Sequence, residues 1–78
     1  MITFDQLKQC ILDGELEWIR ELEEPHWVIE AKIEEYSDAI ITASDTDDLV
    51  EFFVDYGYHR NEAYEKIIQT LLQHATFN

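Results

Sequence analysis

The chain has 78 residues, 46% of them apolar, with eighteen Asp and Glu against five Lys and Arg, for a formal charge of −13. That length allows one domain, residues 1–78, with a thin stability margin, and the apolar content excludes a disordered tail. The charge disfavours nucleic acid and anionic membranes as direct ligands, because both require the opposite sign, and points to a basic protein as partner.

Thr3 to Asp13 reads as a helix. Thr3 and Gln6 make a capping box, Ile2 can staple onto Leu7, and Phe4, Leu7 and Ile11 share a face. Gly14 sits where a left-handed C-terminal residue is wanted. From Glu15 to Glu23 the pattern alternates, with Leu16, Trp18 and Leu22 on one side and Glu15, Glu17, Glu21 and Glu23 on the other, which predicts a half-buried strand. Ile19 and Arg20 break the alternation, and a helix through Leu12, Leu16 and Ile19 is the alternative.

After Glu24-Pro25 the alternation resumes. Trp27, Ile29, Ala31 and Ile33 form an inner row, and Val28, Glu30, Lys32 and Glu34 an outer one. Tyr36-Ser37-Asp38 reads as a turn, and Ala39 to Ala43 as a short β-branched strand. Ser44 or Asp45 caps the next helix, with Asp47 and Asp48 in its first turn, an apolar face of Leu49, Phe52, Phe53 and Tyr56, and Gly57 at its end. Asn61 is the expected cap of a last helix with the broad stripe Ala63, Tyr64, Ile67, Ile68, Leu71, Leu72 and Ala75. The expected fold class is therefore α+β, a three-stranded antiparallel sheet packed against helices in the order α-β-β-β-α-α.

No arrangement of residues points to catalysis, so the chain reads as a non-enzyme without metal or cofactor. Cys10 lies near an apolar helix face and reads as an inert thiol. As the only cysteine it can form no internal disulfide, which suits a reducing compartment. His26, His59 and His74 are scattered, and His59 with Glu62 falls short of a metal site. Asp45-Thr46-Asp47-Asp48 resembles a calcium loop but has Val50 and Tyr56 where such a loop needs Gly and Glu. The first residues lack the basic and apolar regions of a signal peptide, and no apolar run could span a bilayer, so a cytoplasmic location is expected, that of the host cell if the chain is phage-encoded.

Binding is the stronger reading. On a strand the acids Glu15, Glu17, Glu21 and Glu23 recur at roughly 6.6 Å per two residues, similar to the spacing of neighbouring backbone phosphates. Glu30 and Glu34 add a second row, Glu35 and Asp38 extend it around the turn, and Glu62 and Glu65 follow on the last helix. Arginines and lysines that grip phosphates could grip such carboxylates instead. Ile19, Val28 and Ile40 are expected to punctuate the acidic face with apolar spots. The expected function is a nucleic-acid-mimicking inhibitor that occupies the basic site of a nucleic-acid-binding protein, as a monomer or homodimer. The alternative is a small interaction module such as an immunity protein, antitoxin or homodimeric adaptor.

The stretch Ala39-Ile40-Ile41-Thr42-Ala43-Ser44-Asp45-Thr46-Asp47-Asp48-Leu49-Val50-Glu51-Phe52-Phe53 resembles the small acidic anti-CRISPR proteins that inhibit type II-A Cas9. The shared features are a short strand, a Ser-acid cap, an acidic first turn and a helix with a hydrophobic-Val-Glu-x-Phe run; the expected order of elements is also similar. The resemblance implies a DNA mimic that blocks the basic site of a CRISPR effector, with Glu35 and Asp38 matching acids of the family's hairpin turn. Tyr36 stands where that family has glycine, and its dense acidic run after the second helix is thinned here to Glu62 and Glu65.

Overall fold

The local signals at the start of the chain hold. Gln6 N donates to Thr3 Oγ1 at 3.1 Å and Thr3 N donates to the Gln6 side chain at 2.8 Å, completing the capping box. The computed structural model describes residues 2–77, with side chains as far as residue 73. From this cap, α1 runs Phe4–Arg20, straight through Gly14. Gly14 therefore sits inside the helix and does not end it.

The continuation decides the fold class. Residues 15–20 complete α1, α2 spans His26–Ile41, α3 spans Thr46–Asp55 and α4 spans Arg60–Phe77. No strand occurs among the described residues, so the expected α+β fold with three strands is overturned in favour of four helices. The reason lies in the burial pattern. Leu7, Ile11, Glu15 and Ile19 recur every fourth residue and are all buried on α1, a helical stripe that the alternating glutamates obscured. On α2, Tyr36 and Ile40 are buried four residues apart, and the expected turn at 36–38 is simply helix. The expected strand at 39–43 comprises the last turn of α2 and the two residues after it.

Helix ends are set by polar chemistry. Asp45 caps α3, accepting from Asp48 N at 2.9 Å, while the Asp48 carboxylate accepts from Ser44 N and Ser44 Oγ. These bonds from Ser44 hold the Asp48 carboxyl below its usual range. At the other end Gly57 has φ +99°, its N–H reaches the Val54 carbonyl, and Tyr58 N reaches the Phe53 carbonyl at 3.0 Å. That is the two-bond C-terminal motif requiring a left-handed residue. The last helix begins at Arg60, one residue ahead of the expected Asn61 cap, with Glu62 accepting from His59 N at 3.2 Å.

The helices pack as two hairpins, α1 on α2 and α3 on α4, with α4 also resting on α1. Phe53, Ile19, Ile40, Leu49 and Val50 are the largest fully buried side chains, so all of the first three helices supply the centre. Lys8 ties the first hairpin together. Its Nζ donates to the Ile41 and Ala43 carbonyls, both at 2.9 Å, and so satisfies acceptors left open where α2 ends.

Candidate functional site

Between residues 15 and 38 nine acids stand against Arg20 and Lys32, and residues 45–55 hold five more, Asp45, Asp47, Asp48, Glu51 and Asp55, with no Lys or Arg. Glu17 and Glu21 lie one turn apart on the exposed side of α1 or just past its end, and Glu23 lies in the connection to α2. Glu30, Glu34 and Asp38 are exposed on α2 at successive four-residue steps. Four residues of helix rise about 6 Å, so carboxylates recur at a phosphate-like interval on a helix, not on the strand the alternation suggested. Glu30 is engaged by His26 Nε2 at 2.9 Å. Glu62 and Glu65 are exposed but belong to the second hairpin, and Glu62 serves its helix cap. The structure thus gathers Glu17, Glu21, Glu23, Glu30, Glu34, Glu35 and Asp38 on one hairpin and leaves Glu62 and Glu65 on the other.

Two corrections follow from burial. Glu15 is not on the outer row. It is 4% exposed, embedded in the apolar stripe of α1. Its Oε2 accepts from Trp18 Nε1 at 2.6 Å, and Lys66 Nζ lies 3.9 Å from its Oε1. Nor do Ile19 and Ile40 form outer apolar spots: both are completely buried, and Val28 is half-buried. Exposed apolar side chains occur elsewhere, at Trp18 on α1, at Trp27 and Ile41 on α2 and at Tyr64, Ile68, Leu71 and Leu72 on α4.

Around Glu15 the chain builds a site the sequence did not announce. Tyr36 meets Trp18 and Phe52 edge-on, at 6.0 and 5.4 Å between ring centroids, and Tyr56 at a tilt, at 4.4 Å. With Tyr58 and Glu15 these rings line a half-open cleft of about 230 Å³. A second cleft of about 240 Å³ shares Glu15 and Trp18 as a wall and includes Lys66 and Gln69 of α4. The ammonium of Lys66 sits 4.9 Å from the Tyr58 ring centre and 5.8 Å from that of Phe53. Burial, followed by the charges of Glu15 and Glu35, raises the Tyr36 phenol above its ordinary value. Tyr56 is pushed up to about 12 by burial and then by its hydrogen bond to Glu35. Trp18 and Tyr36 come from α1 and α2, and Tyr56 and Tyr58 from the connection after α3; the one signal available beforehand was the four-residue step that places Glu15 on the apolar stripe.

Among the described residues no group of three or more His, Cys, Asp or Glu could hold a metal ion, and no helix is long and apolar enough to cross a membrane. Comparison with protein-family models, curated proteins and solved structures finds no match, so the site is read from its own geometry. Within residues 39–53, the cap, acidic first turn and following helix are present as Asp45, Asp47, Asp48 and α3, whereas the strand before them and the sheet that the anti-CRISPR resemblance implied are absent among the described residues.

Proposed function

We propose that the protein is an acidic decoy that binds the basic nucleic-acid site of another protein, such as a CRISPR effector or other nuclease, and excludes the nucleic acid from it. The observation that carries this reading is the exposed acid array of the α1–α2 hairpin, Glu17, Glu21, Glu23, Glu30, Glu34 and Asp38, within a chain of charge −13. Solubility of a small domain needs a charge of magnitude only about 2–8, and more than that opposes compaction. Carboxylates repeated at about 6 Å along helices offer arginines and lysines the charge pattern that a phosphate backbone offers. Binding is competitive and steered by charge.

The test is a titration against a basic nuclease over a salt series. Affinity should fall steeply with salt, and replacing Glu17, Glu21, Glu30 and Glu34 together by Gln should weaken it tenfold or more at low salt, the circular dichroism spectrum staying helical. Salt-independent binding, or full inhibition by the fourfold variant, contradicts the reading.

The apolar side chains of α4 favour a second reading, an interaction module such as an immunity protein, antitoxin or homodimeric adaptor. Ile68 is 52% exposed and Leu72 60%, and with Tyr64 and Leu71 they fall at steps of four, three and one residues, a helical stripe. Sedimentation that shows a dimer dispersed by Ile68→Glu, in a protein that captures no basic partner, would establish it over the first.

A further inference from the structure

Glu15 has no adequate explanation in stability. Its position on the stripe Leu7, Ile11, Glu15, Ile19 suits a leucine or methionine, and burying a carboxylate carries a desolvation cost that an ion pair recovers only with close, complete contacts. Here the cation is 3.9 Å away on a side chain that is 41% exposed, and the one short bond comes from a neutral indole. A carboxylate offers about four acceptor positions, so Glu15 retains capacity toward the cleft it walls.

That cleft has a consistent chemistry. Its walls are the Trp18, Tyr36, Tyr56 and Tyr58 rings, it contains no Lys or Arg, and Trp18 is 38% exposed at its edge. The molecule already places a cation in such surroundings, with Lys66 Nζ 3.9 Å from Glu15 and 4.9 Å from the centre of the Tyr58 ring, both walls of the cleft, and 5.8 Å from that of Phe53. We infer that the aromatic cleft walled by Glu15 and Trp18 receives a guanidinium group, an arginine side chain of the basic partner. Arginine is favoured over lysine because its planar, weakly hydrated head stacks on aromatic faces while pairing with a carboxylate. The inference rests on the proposed binding of a basic protein and supplies its anchor: the outer acids steer, and the cleft holds one arginine.

The test uses N-acetyl-arginine amide as probe and N-acetyl-citrulline amide as its neutral counterpart. The indole N–H resonances of Trp18 and Trp27 are followed by NMR at moderate salt, with Trp27, 72% exposed on α2, reporting non-specific attraction. The arginine probe should move Trp18 saturably and leave Trp27 nearly still. Citrulline amide, or arginine amide with the Glu15→Gln variant, should bind at least about tenfold more weakly, since a charged hydrogen bond is lost. Gln keeps an acceptor for Trp18 Nε1, and an unchanged melting temperature confirms that the variant is folded; should it fail to fold, Trp18→Phe in the same titration, read from aromatic side-chain resonances of the cleft, takes its place. Equal shifts at both tryptophans, no saturation, or equal response to citrulline overturns the inference. The two readings fail separately. Loss of salt-dependent protein binding with arginine still entering the cleft removes only the decoy, and an indifferent Trp18 with salt-dependent protein binding intact removes only the arginine site.

Discussion

Helices α2 and α3 spend their residues differently. Of the sixteen residues of α2 only Tyr36 and Ile40 are buried, whereas the ten of α3 bury Leu49, Val50, Phe52 and Phe53. The C-terminal end of α2 is closed by Thr42, which donates to the Asp38 carbonyl, and by Lys8 from another helix, while α3 carries its own cap at Asp45 and its own glycine stop at Gly57. The acid array that supports the decoy reading lies largely on α2 and on the end of α1 beside it. Acid is not confined to the less buried helix, since α3 carries Asp47, Asp48, Glu51 and Asp55 in ten residues while α2 carries Glu30, Glu34, Glu35 and Asp38 in sixteen; the two differ in how much of each is buried. α3 plugs the core and holds two of the rings on which Tyr36 rests, Phe52 directly and Tyr56 just past its end.

Breaking the α3 side should have the largest effect. Phe53 is 1% exposed, so Phe53→Ala should cost about 3–5 kcal/mol, which in a domain this small consumes most of the stability. The half-buried Ile33 of α2 should cost about 1 kcal/mol as Ile33→Ala. Urea denaturation of the two variants checks the contrast, and similar midpoints would erase it.

Next in size is the tie between α1 and α2. Lys8→Met removes two charged hydrogen bonds and should cost about 1.5–3 kcal/mol. Hydrogen exchange should show amides near the end of α2 losing protection while those of α3 keep theirs; uniform loss would mean that the two helices open together.

The boundary between α2 and α3 should respond to alkali. The fold favours the neutral phenol of Tyr56, whose value rises from 10.0 to about 12, and Tyr36 moves in the same direction. Their contribution is complete below pH 10 and is lost as the pH climbs from 10 to about 12. After screening by nearby water this should amount to about 1 kcal/mol. Stability measured across that window, alongside tyrosinate absorbance, checks it, and Tyr56→Phe should flatten the dependence.

The smallest effect should be a gain. A methyl group at Gly14 meets nothing within 4 Å, and the residue lies inside α1, so Gly14→Ala should stabilise by about 0.5–1 kcal/mol. A loss would show that α1 bends there in solution.

Several elements were legible from short-range chemistry alone. Thr3 with Gln6, Asp45 with Asp48, and Gly57 act within a turn of their own position, so the start of α1 and both ends of α3 follow from residue type and spacing. The excess of acid was equally visible; of the broad stripe expected on α4 only Ala63 and Ile67 are buried, Tyr64, Ile68, Leu71 and Leu72 are exposed, and the side chain of Ala75 lies outside the described ones. The stretches 15–23, 26–35 and 39–43 read as strands because glutamates at every second position mimic a sheet's outer face, and because Trp, Val and Ile around residues 27–33 favour strands; for 15–20 the alternative, a helix through Leu12, Leu16 and Ile19, is what the structure has. A stripe repeating every fourth residue was present in the same letters, but one of its members was Glu15, which polarity alone assigns to the outside.

Composition and local spacing by themselves determined the charge, the caps at Thr3 and Asp45 and the glycine stop at Gly57, but not the start of α4 at Arg60 or the passage of α1 through Gly14. Only the packed structure decided that the middle of the chain is helical, since the choice between periods of two and of 3.6 depends on what lies opposite. It alone buried Glu15 and brought Trp18, Tyr36, Tyr56 and Tyr58 around it, because residues as far apart as Glu15 and Tyr58 meet only when separate helices cross.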